Sequence, residues 1–209
     1  MEIQAVETLA IRDLKVIRFG RFSDERGYFS EPYRLEDLAI HPETSFLCDV
    51  QFVQINESYS QAGVVRGLHF QWNPYMGKLV RAVRGRVVDL ALDIRRGSPT
   101  LGKMVTRDIS EVPGANYGEW IWVPPGFAHG IFCTTDCVLE YLCTGEYSPG
   151  SEAGISPLAP DIDWAVADPE HKYAFDEIVA KDAIMSAKDN NAYSLKDWLA
   201  DERSANFQF

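Results

Sequence analysis

The chain has 209 residues, 46% hydrophobic and 24% charged, which suits one domain with a sizeable core and excludes bulk disorder. Its formal net charge of -11 lacks the basic footprint that nucleic acid or an anionic membrane surface requires. An anionic small molecule can still bind, provided the few cations are concentrated locally. The opening "MEIQAVETLAIRDLKVIRFG" carries acidic residues and no apolar h-region, so no signal peptide is expected. No window approaches the run of about 18 apolar residues that spans a membrane. Cys48, Cys133, Cys137 and Cys143 form no C-x-x-C pair, so free thiols in a reducing cytoplasm are the expectation.

In chain order, the first clear strand is "VQFVQINE" at 50–57. Next comes "VVRGLHFQW" at 64–72, where Arg66 and His69 interrupt residues that fill sheets. In an unbroken strand those two side chains would face opposite ways. Gly67 between them marks a bulge that returns both to one face. In "KLVRAVRGRVVDLALDIRRGSPT" Gly85 divides two strands. Within the second, Val88, Leu90 and Leu92 form an apolar face, while Val87, Asp89, Ala91 and Asp93 form a small, acidic one. That second face suits the inside of a β-barrel that holds a ligand.

Further strands are predicted at 102–109, 119–123, 130–134 and 137–144, separated by the turn sequences "RRGSPT", "EVPGANYG" and "VPPG". From about 168 the character changes. "SLKDWLADE" reads as a short helix with Ser194 as N-cap and Leu195, Trp198 and Leu199 on one face. The residues alone predict a mostly β sandwich or barrel over about 17–167, with a mixed, partly helical C-terminal extension over about 168–209, in a single domain spanning 1–209.

Two histidines border strands, His69 in "RGLHFQ" and His129 in "WVPPGFAHG". A metal site needs three or four converging ligands, and "LHFQ" has one histidine where metal-binding barrels offer a pair. No G-x-S-x-G elbow supports serine hydrolysis. In order, "SDERGYFSE", "FVQINES", "VVRGLHFQ", "GKLVRAVRG", "VVDLALDIRRGSPTLG", "WVPPGFAHG", "EYLCTGEYSP" and "SAKD" resemble the dTDP-4-dehydrorhamnose 3,5-epimerase family over roughly residues 17 to 190. The resemblance implies a cupin-like jelly-roll barrel, a homodimer, no metal and no cofactor. It also implies a nucleotide-linked 4-keto-6-deoxyhexose substrate.

The chemistry implied is epimerisation through an enolate. A C4 ketone acidifies the protons on C3 and C5, so the reaction needs a base on one face of the sugar and an acid on the other. It also needs a cation beside the enolate oxygen. By resemblance His69 is the base, Asp189 orients it, Tyr141 is the opposing acid and Lys78 is the cation. Asp89 supports His129 within the barrel. Arg66 resembles a diphosphate ligand, and Arg26 one donated by the neighbouring subunit; an arginine fork grips phosphate in bidentate fashion. Glu31, Gln54, Asn56, His129, Glu152 and Lys188 align with substrate-pocket positions.

One departure concerns the nucleotide base. The family commonly places a stacking tyrosine at the position that reads Glu146, and a carboxylate cannot stack as a ring does. Tyr147, Trp72 and Tyr75 are the candidate replacements, and the nucleotide stays open. Rival readings are inversion at C3 or C5 alone, a 3,4-ketoisomerase on the same scaffold, and a ligand-binding jelly-roll module without catalysis.

Overall fold

The computed structural model describes residues 1–209. A six-stranded sheet has the order β1-β2-β10-β7-β12-β5, and a five-stranded sheet has the order β13-β6-β11-β8-β9. The strands are β1 (Ile3–Thr8), β2 (Lys15–Gly20), β5 (Gln54–Ser60), β6 (Val65–Gln71), β7 (Lys78–Arg84), β8 (Val87–Asp93), β9 (Met104–Asp108), β10 (Tyr117–Val123), β11 (Phe127–Cys133), β12 (Cys137–Cys143) and β13 (Glu152–Gly154). A separate hairpin is formed by β3 (Phe22–Asp24) and β4 (Gly27–Phe29). All pairings between these strands are antiparallel, and the fold is a cupin-like barrel.

Strand β8 shows why the barrel has two kinds of interior, since every residue from Val87 to Asp93 is buried. Val88, Leu90 and Leu92 belong to an outer core layer with Phe70, Phe132, Phe175 and Trp198. Val87 and Ala91 face the barrel lumen with Val80, Ile121, Ile131 and Leu139. The alternation within one strand thus assigns its side chains to opposite sides of the sheet. The outer layer is closed by the C-terminal extension: α2 (Pro169–Val179), α3 (Ala187–Asn190) and α4 (Leu195–Ala200). Trp198 is fully buried against Phe70, with ring centroids 4.7 Å apart. A third apolar layer on the outside of the six-stranded sheet is covered by α1 (Leu35–Ile40) and the 3-10 turn Pro42–Leu47, through Leu38 and Leu47.

Three details refine the sequence reading. The strand predicted at 50–57 begins at Gln54, because Val50 and Phe52 pack on the outside of the sheet before the backbone pairs with β12. Helix α4 starts at Leu195 with Ser194 accepting from the Asp197 amide, as its cap residue requires. The longest helix, α2, had no place in the sequence reading: Asp168 accepts from the Glu170 amide, Pro169 opens the helix and Phe175 is buried.

Candidate active site

The bulge forecast at Gly67 sets the geometry of the site. His69 pairs with His129 and Arg66 with Ile131, so Gly67 and Leu68 of β6 together oppose the single Gly130 of β11. Gly67 has φ +115°, and a Cβ there would lie 2.6 Å from the Gly130 Cα. Only glycine lets the two backbones approach so closely at that angle. The shift puts both Arg66 and His69 on the lumen side, facing one cleft.

The cleft has two lobes. One, of about 520 Å³, is lined by Arg66, His69, Lys78, His129, Tyr141, Lys188 and Asp189 above an apolar floor of Val80, Ile131 and Leu139. The other, of about 500 Å³, is lined by Gln54, Asn56, His69, Lys78, Tyr141, Tyr147 and Glu152. Three side chains border both lobes: His69, Lys78 and Tyr141. His69 stands on the five-stranded sheet, and Lys78 and Tyr141 on the six-stranded one, so they face each other across the barrel.

His69 Nε2 lies 2.6 Å from Asp189 Oδ1. A carboxylate only accepts, so Nε2 carries the proton and Nδ1 keeps the lone pair. Burial pushes the Asp189 carboxyl upward, but hydrogen bonds from His69, Ser186 and the Gly67 backbone outweigh it and hold it below its usual range. Asp189 arrives from α3, whose cap Ser186 accepts from the Asp189 amide. A similar pair lies deeper: His129 Nε2 is 2.7 Å from Asp89 Oδ2, both buried. Burial lowers the His129 pKa, with Lys78 adding to the effect and Asp89 opposing it.

Burial also lowers the Lys78 pKa, against the pull of Cys143, Asp89 and Glu152. It raises that of Tyr141, which keeps the phenol protonated. Tyr141 lies opposite Asn56 on β5. On that strand Gln54, Asn56 and Ser58 turn inward while Ile55, Glu57 and Tyr59 are exposed, so polar residues line the lumen. Arg66 is braced by Ser60 Oγ at 2.8 Å and the Tyr59 carbonyl at 2.9 Å. Glu152 accepts from Lys188 at 2.6 Å and from Tyr147 at 2.8 Å.

Two residues assigned to the pocket by resemblance lie outside this chain's cleft. Arg26 is 84% exposed and bonded to Asp24 in the β3–β4 turn. Glu31 lies beside the N-terminal amine, at 3.5 Å. Of the candidate base-stacking rings, Tyr147 alone lines the cleft. Trp72 packs on Trp198, and Tyr75 on Phe207 with its hydroxyl donating to the Asn206 carbonyl, so both anchor the C-terminal tail. Sequence reasoning missed Ser58, Met76 and the Ile184–Met185 wall. The alternation of "QINES" could have found Ser58; nothing local marks the others.

The family model described as dTDP-4-dehydrorhamnose 3,5-epimerase matches residues 8–197. The dTDP-4-dehydrorhamnose 3,5-epimerase of Sinorhizobium fredii is 45% identical over 159 residues, covering 75% of this chain and 77% of that protein. Among solved structures, RmlC of Legionella pneumophila, a dTDP-6-deoxy-D-glucose-3,5-epimerase in complex with dTDP-4-keto-L-rhamnose, superposes with a TM-score of 0.79 at 34% identity over 98% of both chains. ChmJ of Streptomyces bikiniensis, a 3'-monoepimerase in complex with dTDP-quinovose, gives a TM-score of 0.74 at 28% identity, covering 93% of this chain and 89% of that one. With a matched family model spanning both sheets and the Asp189 helix, this chain belongs to the dTDP-4-dehydrorhamnose 3,5-epimerase family.

Proposed function

We propose that the protein epimerises dTDP-4-dehydro-6-deoxyglucose at C3 and C5, a step of dTDP-rhamnose-type deoxysugar synthesis, as a homodimer in the cytoplasm. The observation that carries this reading is that the side chains bordering both lobes are His69, Lys78 and Tyr141, an imidazole on one wall facing a phenol and an amine on the other, which suits a base, an acid and a cation. With the sugar at that junction and its C4 oxygen at Lys78, His69 Nδ1 takes the proton from C3 or C5. The electron pair moves into the C4 carbonyl, and Lys78 stabilises the enolate oxygen. Tyr141 then delivers its proton to the opposite face, inverting the centre. Asp189 holds the imidazole and stabilises the imidazolium as it forms.

Arg66 and Lys188 supply positive charge for the diphosphate, and Tyr147 offers a half-exposed ring to the base. Gln54, Asn56, Glu152 and the Asp89-supported His129 complete the polar lining. Arg26, and with it Glu31, acts in the partner's cleft. The exposed Phe22, Tyr28 and Phe29 of the same hairpin favour a covered position in a dimer.

The test is incubation with dTDP-4-dehydro-6-deoxyglucose in D₂O, reading deuterium and configuration at each carbon by NMR. Exchange with inversion at both C3 and C5 is expected. Inversion at C3 alone would make the protein a monoepimerase, and absence of exchange would leave it a binding module. Mixing inactive Arg26→Ala with inactive His69→Ala should restore activity after subunit exchange. No recovery would keep Arg26 out of the partner's site.

A further inference from the structure

Outside the cleft, one reactive cluster has no part in the mechanism above. Cys133 ends β11 and Cys137 begins β12, so the two thiols belong to different sheets and meet where the barrel closes. Their sulfurs lie 2.7 Å apart, both fully buried. The connecting turn, Thr134–Asp136, is exposed but firmly held. Asp136 accepts from the Tyr59 hydroxyl at 2.8 Å and the Ala62 amide at 3.0 Å, and Thr135 Oγ1 accepts from the Arg86 amide at 2.9 Å. Gly85, at φ +89°, lets the β7–β8 turn press against Cys137, where a Cβ would stand 2.7 Å from its Cα. The thiols are therefore preorganised by the fold.

We propose that Cys133 and Cys137 form a dithiol site that hydrogen peroxide converts to a reversible disulfide joining the two sheets. The thiols are inequivalent. A hydrogen bond from Cys133 lowers the Cys137 pKa, with Arg66 adding to this and burial opposing it, while the same bond raises that of Cys133. Cys137 is therefore the nucleophile, since the thiolate is the reactive form. Its sulfur attacks one peroxide oxygen: the S–O bond forms, the O–O bond breaks, and hydroxide leaves to take up a proton as water. The Cys133 sulfur then attacks the Cys137 sulfenic acid. An S–S bond forms, the S–O bond breaks, and the departing hydroxide takes the Cys133 proton as a second water. Two thiols are oxidised by two electrons and one peroxide is reduced. The site adjoins the cleft through Ser60, the register partner of Cys137, whose hydroxyl braces Arg66.

The test uses the full-length wild-type protein, folded, treated with hydrogen peroxide and quenched, with alkylation applied only to the portion taken for peptide mapping. Thiols titrated after denaturation should fall from four to two. Intact mass should drop by two hydrogens, peptide mapping should join Cys133 to Cys137, and dithiothreitol should restore all thiols. In Cys133→Ser the sulfenic acid should persist on Cys137 and be trapped by dimedone. Survival of all four thiols in the folded protein would overturn the proposal, as would a disulfide between other cysteines or oxygen added at exposed Cys48 alone. The wild-type map decides the matter even if Cys133→Ser does not fold.

Discussion

Asp189→Asn tests the proposed division of labour between His69 as base and Asp189 as its partner. The carboxylate is buried, 4% exposed, and its Oδ1 sits 2.6 Å from His69 Nε2. An asparagine of the same shape can still accept from Nε2–H, so the imidazole keeps its tautomer and position. What disappears is the negative charge facing the imidazolium when the proton is taken. A hydrogen bond to a charged group contributes about 1.5–3 kcal/mol, against about 1 kcal/mol for a neutral one. The difference, about 0.5–2 kcal/mol, converts to a rate loss of roughly 2- to 30-fold at about 1.4 kcal/mol per decade. His69→Ala removes the proposed base itself and should cost about 10²–10⁴-fold. The assay is initial deuterium incorporation at C3 and C5 under saturating dTDP-4-dehydro-6-deoxyglucose, with circular dichroism to confirm folding. A folded Asp189→Asn as inactive as His69→Ala would refute the reasoning, because orientation would then outweigh charge. So would a variant with undiminished exchange.

Tyr141→Phe removes the phenol proton and leaves the opposing base intact; deuterium exchange should persist at one carbon or more while inversion falls steeply, and equal loss of both would remove Tyr141 from the donor role. Gly67→Ala forces a side chain into a positive-φ position against Gly130, and the strain and overpacking should cost at least about 2 kcal/mol in urea unfolding. A change under about 0.5 kcal/mol would show that the bulge relaxes freely. His129 carries a pH signature. Its folded pKa is lowered from 6.5, so below that value the unfolded chain binds a proton that the folded chain refuses. Stability should therefore fall as pH drops from 6.5 toward the folded pKa, and His129→Gln should flatten that slope in melting curves; an unchanged slope would assign it to other groups.

The sequence by itself determined what depends on local periodicity. Alternation in "VVDLALD" assigned one face of β8 to the packed layer and the other to the lumen. Arg66 and His69 on either side of a glycine pointed to a bulge, and Ser194 before "LKDW" pointed to a helix start. These survive because strand parity, glycine freedom and capping act over a few residues. The family motifs extended the reading to His69, Lys78, Tyr141 and Asp189, yet their meeting is a tertiary fact: His69 and Asp189 are 120 residues apart in the chain.

Only the fold decided which aromatic ring faces the cleft. Tyr147, Trp72 and Tyr75 read alike locally, but Trp198 and Phe207, buried side chains of the C-terminal tail, draw Trp72 and Tyr75 away. The fold likewise set Arg26 and Glu31 outside the cleft. The β3–β4 hairpin pairs with neither main sheet, and no local pattern reports that separation. Side-chain alternation is written residue by residue, whereas the contacts between sheets come from packing whole faces together, which no short window of sequence contains.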